Sequence, residues 1–252
     1  MLQSVVRLIM PQQCVLCDEL IESDGGLCPA CWRDATLVAG TVCDCCGTPL
    51  VGQGDDTAHC DDCLRTPRIW TKGRSALVYE GTGKRLVMGL KHGDRQDLVP
   101  TLGRIMARSS RPLLEDDTVI VPVPLHWSRL LRRRYNQSAL LALEIGKIVG
   151  RPVLVDGLVR IHRTRPTKGQ TRAEREMSQQ DSIRPHPKKG SRLNGRSVMI
   201  VDDVMTTGAT LKAAAQGALL AGAKQVCVLT LARAVSEAYI FAKPNEARHE
   251  DS

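Results

Sequence analysis

Residues Val198-Met-Ile-Val-Asp-Asp-Val-Met-Thr-Thr-Gly-Ala-Thr-Leu211 combine a buried-strand pattern with two carboxylates and a loop of small hydroxylated residues. The four apolar residues 198–201 predict a strand that is covered on both faces of a sheet. Asp202 and Asp203 end this strand, and residues 206–210 then open a helix. In open α/β sheets, ligands bind at the carboxyl ends of the strands. The segment therefore predicts an α/β fold with a binding site at this edge.

The residue types of the 206–210 loop suit a phosphate group. Small hydroxylated residues around a glycine let backbone amides and threonine hydroxyls converge on an anion at a helix N-terminus, whose dipole also favours negative charge. The carboxylates of Asp202 and Asp203 can accept hydrogen bonds from ribose hydroxyls and help to hold Mg²⁺. An ordinary strand-to-helix turn and a receiver-type acidic pocket are the alternatives. A receiver-type pocket does not require this loop.

The wider chain shows the pattern of a parallel sheet flanked by helices, because apolar runs alternate with amphipathic stretches from Ser75 onward. The predicted strands cover residues 75–79, 119–123, 198–201 and 225–231. The predicted helices cover residues 84–90, 98–109, 135–149 and 210–221, the last one stopping at Gly222. The predicted fold class is α/β.

Nine of the ten cysteines lie between Cys14 and Cys63, which separates an N-terminal cysteine module from the rest of the chain. Eight of them form four Cys-x-x-Cys pairs: Cys14 with Cys17, Cys28 with Cys31, Cys43 with Cys46, and Cys60 with Cys63. A tetrahedral four-thiolate zinc site needs two such pairs, so the module predicts two structural zinc sites. The spacing suits consecutive zinc ribbons, although a cross-braced pairing of the first pair with the third would use the same residues.

Disulfides or redox-active cysteine pairs are the alternative interpretation of the module. The chain shows no secretory signal, and cytosolic thiols stay reduced, so we favour zinc. Cys45 is the odd residue, expected to be a bystander thiol, with mispairing or alternative ligation as other outcomes. Because the module has few apolar residues, metal binding is expected to provide most of its folding free energy.

The net charge of +8 over 252 residues indicates a polyanionic partner, either nucleic acid or a phosphate-rich small molecule. Only seven aromatic residues are present, which is few for a surface that stacks single-stranded bases. No stretch approaches the roughly 18 consecutive apolar residues of a membrane span, and we expect a cytoplasmic protein. We divide the chain into a zinc-ribbon module at 1–70, an α/β domain at 71–235 and a flexible tail at 236–252.

Basic residues outside the 206–210 loop offer further candidate anion contacts. Arg132, Arg133 and Arg134 are candidates for phosphate or nucleic-acid contact, with a solvated helix face as the alternative. Residues 160–196 form a long polar stretch that we interpret as a mobile active-site loop, able to close over an anion. Its candidate cations are Arg163, Arg165, Lys168 and Arg172. Lys91 and His92 are weaker candidates, because single residues of this kind more often lie on the surface or satisfy a local hydrogen bond.

The run at 202–210 resembles the motif with which type I phosphoribosyltransferases bind 5-phosphoribosyl-1-pyrophosphate (PRPP). The rest of the chain, up to about Val235, is similar to the ComF family. The matching segments are Tyr79-Glu-Gly, Leu90-Lys-His-Gly-Asp94, Val121-Pro-Val-Pro-Leu-His126, Tyr135-Asn-Gln137, Arg163-Thr-Arg-Pro-Thr-Lys-Gly-Gln170 and the cysteine module. The resemblance implies a type I phosphoribosyltransferase-like sheet with an N-terminal double zinc ribbon, in proteins associated with DNA uptake during natural transformation.

The resemblance also implies roles for particular residues. Asp202 and Asp203 correspond to the catalytic carboxylates, with Mg²⁺ bound beside PRPP. The residues implied in PRPP binding are Thr206, Thr207, Gly208, Ala209, Thr210, Pro124, Leu125, His126 and Lys168. Single-stranded DNA and DNA-uptake proteins are the implied macromolecular partners.

The sequence leaves two functions open. One is a PRPP-binding protein that acts in DNA uptake; the alternative is a catalytic phosphoribosyltransferase that transfers phosphoribose to an unidentified nucleobase or amine. Phosphoribosyltransferases acting on 6-oxopurines commonly carry an Asp where this chain has Thr206, which argues against that substrate class. A cysteine-rich redox protein is a third alternative, less favoured than these two.

Overall fold

A computed structural model describes residues 12–21, 26–50, 52, 57–92, 94–162 and 181–235. Its central sheet contains β1 (Gly73–Val78), β2 (Val119–Pro122), β5 (Ser197–Met205) and β6 (Gln225–Arg233). These strands are parallel and lie in the order β1-β6-β5-β2. A separate antiparallel pair is formed by β3 (Leu158–Arg160) and β4 (Ile183–Pro185).

The helices of the described residues connect the strands or belong to the cysteine module. They are α1 (Pro29–Asp34), α2 (Asp61–Arg65), α3 (Gly81–His92), α4 (Val99–Ser110), α5 (Trp127–Arg133), α6 (Gln137–Val149) and α7 (Ala209–Leu220). Short 3-10 turns lie at Gln96–Leu98, Arg111–Leu113 and Gly190–Leu193. The predicted α/β fold class, a parallel sheet with flanking helices and an N-terminal cysteine module, is confirmed.

Strand β5 separates two hydrophobic cores, because successive side chains of a strand point to opposite faces of the sheet. Met199 and Val201 pack into the core that contains α3, α4 and α6. Val198 and Ile200 pack into the other core, with α7 and the β3-β4 pair. The alternation places a central strand between two apolar layers, as the continuous apolar run predicts.

The end of β5 differs from its predicted end. The strand continues to Met205, so Asp202 and Asp203 lie within it instead of following it. The physical reason is the register with β6, which pairs Asp202 with Thr230 and Val204 with Ala232 beyond the apolar run. Its other neighbour, β2, stops at Pro122, which matches the edge position of that strand in the sheet.

The stretch at 160–196 is only partly a loop. Residues 181–196 contain β4 and a 3-10 turn, so the loop interpretation is wrong for them. The candidates Arg163, Arg165, Lys168 and Arg172 lie outside the described residues. The division at 1–70, 71–235 and 236–252 stays a prediction. Within the described ranges, no helix has the length and apolar character needed to cross a membrane.

Candidate functional site

Two neighbouring carboxylates on β5 lie at the carboxyl edge of the sheet, and both are buried. Asp203 Oδ1 is 2.8 Å from Lys91 Nζ, at the end of α3, and its Oδ2 accepts a hydrogen bond from Gln137 Nε2 at 3.1 Å. Asp202 Oδ1 accepts hydrogen bonds from Ser138 Oγ and from the Asp203 amide, both at 2.9 Å. The carboxylates are therefore held by the end of one helix and the first turn of another.

The start of α6 explains how Gln137 and Ser138 reach the acidic pair. Asn136 is the N-cap, and its Oδ1 accepts a hydrogen bond from the Ser138 amide at 3.1 Å. Its Nδ2 donates to the Val123 carbonyl at 2.9 Å, which ties the helix to the chain leaving β2. Because β2 and β5 are adjacent, this helix start lies beside Asp202 and Asp203.

Burial makes the negative charge of Asp202 costly. Removal from water, together with the charge of Asp203, raises the pKa of Asp202 to about 7. The positive charge of Lys91 and the hydrogen bond from Ser138 oppose this shift without cancelling it. A strongly raised carboxyl pKa beside a second carboxylate is typical of a site that receives a cation or a polar ligand.

Two backbone amides of the 206–210 loop, those of Thr207 and Gly208, lack a partner among the described residues. Gly208 has φ +84°, in the left-handed region, and serves as the N-cap of α7 without a side-chain cap. Across the residues that the structure describes, the amides of Thr207 and Gly208 form no hydrogen bond. Thr206 is exposed and Thr210 half-buried. Free amides at the start of a 12-residue helix carry partial positive charge, which favours an anion there.

The predicted contacts after β2 reach the same edge of the sheet. The Val123 amide donates to the Val201 carbonyl at 2.9 Å, and the Pro124 carbonyl accepts from Arg160 Nε at 3.0 Å. His126 is buried, and its Nδ1 accepts a hydrogen bond from the Ser128 amide at 3.3 Å, so its ring caps α5. Leu125 is half-buried.

The arginine cluster follows on α5. Arg132 and Arg134 are exposed and Arg133 is half-buried, at the end of a short helix whose Trp127 is 66% exposed. Arg134 ends the helix in the left-handed conformation, with φ 65°. The cluster is accessible to a ligand.

Sequence reasoning missed several residues of this site. No sequence motif marks Ser138, Gln137 stands only within a family motif, and Lys91, a weaker candidate anion contact, instead pairs with Asp203. Arg160, also missed, is half-buried, and removal from water lowers its pKa to about 10. The available signal was the Asn136 cap, because a helix that starts after a neighbouring parallel strand begins at the ligand-binding edge.

The cysteine pairs combine consecutively into two clusters. The thiols of Cys14, Cys17, Cys28 and Cys31 lie within 4.8 Å of one another, as do those of Cys43, Cys46, Cys60 and Cys63. This grouping confirms the consecutive-ribbon prediction and excludes the cross-braced alternative. None of the ten cysteines forms a disulfide.

The spacing of the sulfurs fits zinc. The Cys17 and Cys28 sulfurs are 3.5 Å apart, and those of Cys46 and Cys60 are 3.7 Å apart. Tetrahedral Zn–S bonds of about 2.3 Å place two sulfurs about 3.8 Å apart. Four thiolates complete the coordination of Zn²⁺, so both sites are structural and leave no position for a substrate.

Local backbone features shape the second cluster. Gly47, directly after Cys46, has φ +66°, and a Cβ there would lie 2.8 Å from the Arg74 Cα. Only glycine allows this close approach to β1. Cys45 stands outside both clusters, and its carbonyl accepts a hydrogen bond from Trp70 Nε1 at 2.6 Å.

Comparisons with known proteins agree with this architecture. Residues 5–64 match the family model of the double zinc ribbon domain, and residues 141–245 match that of the phosphoribosyl transferase domain. The protein is thus of the phosphoribosyltransferase-fold class and carries an N-terminal double zinc ribbon. Glutamine PRPP amidotransferase from B. subtilis is similar in structure, with a TM-score of 0.38 and 22% identity over 57% of this chain and 30% of that one.

Two sequence relatives identify the family. The DNA utilization protein YhgH of Salmonella typhi is 32% identical over 233 residues, which cover 90% of this chain and 99% of the relative. The competence protein ComFC of Bacillus subtilis is 27% identical over 240 residues, which cover 87% of this chain and 94% of the relative. The chain belongs to the ComF family.

Proposed function

We propose that this protein binds PRPP, or a related phosphoribosyl ligand, together with Mg²⁺ at the carboxyl edge of β5, and that it acts in DNA uptake during natural transformation. The observation that carries the proposal is the pair of unpartnered amides at Thr207 and Gly208 beside the buried carboxylates of Asp202 and Asp203. The names of the relatives, which refer to competence and DNA utilization, support the biological role.

The two halves of the site match the two halves of a phosphorylated ribose. The amides of Thr207 and Gly208 and the first turn of α7 donate hydrogen bonds to phosphate oxygens. The carboxylates of Asp202 and Asp203 accept hydrogen bonds from the ribose hydroxyls. A ligand with only a phosphate or only a sugar would leave one half of the site unused.

The donor set beside Asp203 also fits Mg²⁺. Gln137 donates its amide N–H to Asp203, and its Oε1 is buried without a hydrogen-bond partner among the described residues. If the Gln137 side-chain amide were flipped, its oxygen would face the Asp203 carboxylate oxygen, and two acceptors would repel each other. Carboxylate and amide oxygens are ligands that Mg²⁺ accepts, directly or through water. When bound, Mg²⁺ supplies positive charge against the pyrophosphate group.

Catalysis is the second candidate function, favoured by the raised pKa of Asp202. In that reaction an acceptor forms a bond to the anomeric carbon of ribose, the bond to pyrophosphate breaks, and pyrophosphate leaves with the bonding electrons. The chain would contribute positioning and charge stabilisation. The acceptor is a nucleobase, an amine or another small nucleophile.

Calorimetric titration of PRPP with Mg²⁺ into the zinc-loaded protein tests the binding proposal. We expect saturable binding by the native protein and none by the Asp202→Asn/Asp203→Asn variant. Asp116→Asn is the matched control, because this carboxylate is fully exposed in the turn before β2. A folded native protein that does not bind PRPP would contradict the proposal. A pyrophosphate assay on the same samples, with candidate acceptors, separates binding from catalysis.

A further inference from the structure

Two arginines hold the 206–210 loop by its carbonyl groups. Arg233 Nη1 donates to the Met205 carbonyl at 3.1 Å and to the Thr206 carbonyl at 2.7 Å. Arg68 Nη1 donates to the Thr207 carbonyl at 2.9 Å. In a trans peptide, the carbonyl of one residue and the amide of the next point in opposite directions. Holding these carbonyls on one side therefore directs the Thr207 and Gly208 amides to the other, where an anion can bind.

Arg233 connects this loop with the second zinc cluster. The residue is 5% exposed, and its Nη2 lies 3.9 Å from the Cys46 sulfur. Its other acceptors are the carbonyls of Met205, Thr206 and Ala234, and no described carboxylate lies within ion-pair distance. A buried cation needs a compensating negative charge. Zn²⁺ with four thiolates carries a net charge of about −2 and supplies it.

Arg68 forms a second connection through Trp70. The guanidinium carbon lies 5.6 Å from the centroid of the Trp70 ring, and Trp70 Nε1 donates to the Cys45 carbonyl at 2.6 Å. Cys45 lies between two ligands of the second cluster. A Cβ on Gly208 would be 3.2 Å from Trp70 Cη2, so the ring packs directly against the loop. Three consecutive loop residues, Thr206, Thr207 and Gly208, therefore contact residues attached to this cluster.

The first zinc cluster packs elsewhere. Arg95 Nη2 donates to the Val15 carbonyl at 2.8 Å, and Thr82 hydrogen-bonds to Asp34, both on the α3 side of the domain. Three ligands of the first cluster belong to the core with α3 and α4, whereas three ligands of the second belong to the core with α7. The effect of disrupting the second cluster can therefore be compared with the effect of disrupting the first in the same chain.

We propose that Arg233 and Arg68 are positioning residues through which the second zinc cluster orients the 206–210 loop, so that phosphoribosyl-ligand binding requires zinc at the second cluster and not at the first. The inference rests on the proposed PRPP-binding function for its ligand. The orientation of the loop by zinc is independent of which ligand binds.

A matched pair of cysteine variants separates the clusters. Cys60→Ser and Cys17→Ser each remove one of the more accessible ligands of one cluster. We expect each variant to lose one zinc equivalent. In Cys60→Ser, amide hydrogen exchange should accelerate in the peptide that spans residues 206–210, and PRPP affinity should fall at least about tenfold. In Cys17→Ser, both the exchange rate of residues 206–210 and the PRPP affinity should match those of the native protein. Exchange in β6 reports whether the domain itself stays folded.

Arg68 provides a test that leaves every cysteine in place. Arg68→Met keeps an apolar chain over Trp70 but removes the donor to the Thr207 carbonyl, and PRPP affinity should fall about tenfold at full zinc content. Arg68→Lys keeps one charged donor and should restore part of the affinity, which a purely structural role would not produce. Arg192→Met, at an exposed arginine, should have no effect.

The outcomes of the two proposals are distinguishable. Unchanged loop exchange in Cys60→Ser, or equal effects of Cys60→Ser and Cys17→Ser, would overturn the positioning role. If the native protein does not bind PRPP, the proposed function fails, and the exchange experiment still decides whether the second cluster orients the loop.

Discussion

Lys91 Nζ lies 2.8 Å from Asp203 Oδ1 and joins the end of α3 to the centre of the sheet. The lysine is 21% exposed and the aspartate side chain 10%, so water screens the pair weakly. Lys91 compensates one of two adjacent carboxylates while the site holds no ligand. Among the described residues, Arg160 also interacts electrostatically with Asp202, so a cation that enters the site meets an acidic pair flanked by two basic residues.

Replacing Lys91 by Met should destabilise the fold. Because it leaves a buried carboxylate unpaired beside Asp202, we expect a loss of about 2 kcal/mol at pH 8, measured by denaturant unfolding. Lys224→Met is the control, since Lys224 is 61% exposed and 3.8 Å from Glu115, and it should change stability by less than about 0.5 kcal/mol. Equal effects of the two variants would show that the Lys91–Asp203 pair is unimportant for stability.

Replacing Asp202 by Asn should stabilise the protein at alkaline pH. The folded-state pKa of Asp202 is raised from 3.8 to about 7, so the folded state binds more protons than the unfolded state between these values. The free energy of unfolding then falls as pH rises through this window, because buried Asp202 becomes charged. Asn cannot ionise, so the variant does not lose this stability. We expect a gain on the order of 4 kcal/mol at pH 8, which shrinks towards pH 4.

Denaturant midpoints at pH 5 and pH 8 check this prediction. Asp116→Asn is again the control, and it should change stability by less than about 0.5 kcal/mol at both values. An Asp202→Asn variant that is less stable than the native protein at pH 8 would mean that the carboxylate is well compensated in the ligand-free fold.

Zinc affinity should fall as the pH falls. The ligands of both clusters are cysteine thiols, whose ordinary pKa of about 8.5 lies above neutral pH. Zinc binds thiolates, so binding displaces protons from these thiols and each displaced proton weakens apparent affinity about tenfold per pH unit of acidification. Competition with a chromophoric chelator between pH 8 and pH 6, corrected for the chelator's own protonation, measures this. Identical zinc retention across that range would argue against proton displacement.

The arginines at the end of α5 should contribute to single-stranded DNA binding, if the protein contacts DNA directly. Replacing Arg132, Arg133 and Arg134 by Ala removes up to three phosphate contacts. The plot of log affinity against log salt should then become less steep, with the magnitude of its negative slope smaller by about 2. Fluorescence anisotropy of a labelled oligonucleotide at several salt concentrations measures this slope. Replacing Arg108, Arg111 and Arg196, all exposed, removes the same charge elsewhere. Equal losses in both variants would indicate a nonspecific charge effect.

Much of the site could be predicted from sequence because its main segment is contiguous. An apolar run, two carboxylates and a small-residue loop within 14 residues specify a strand, a turn and a helix start through local preferences. The predicted helix at 210–221 and the observed α7 differ by one residue at each end. The length of β5 was not predictable in this way, because its last residues are held by pairing with β6.

The sequence by itself determined the α/β class, the carboxylates and the 206–210 loop, and the eight cysteines of two zinc sites, since each depends on residue types at short spacing. Only the tertiary structure decided which cysteine pairs combine, that Lys91 pairs with Asp203, and that Arg233 reaches Cys46 across 187 residues of chain. The physical reason is that these contacts depend on the strand order β1-β6-β5-β2, which brings the ends of β5 and β6 against the cysteine module. No local pattern encodes that order.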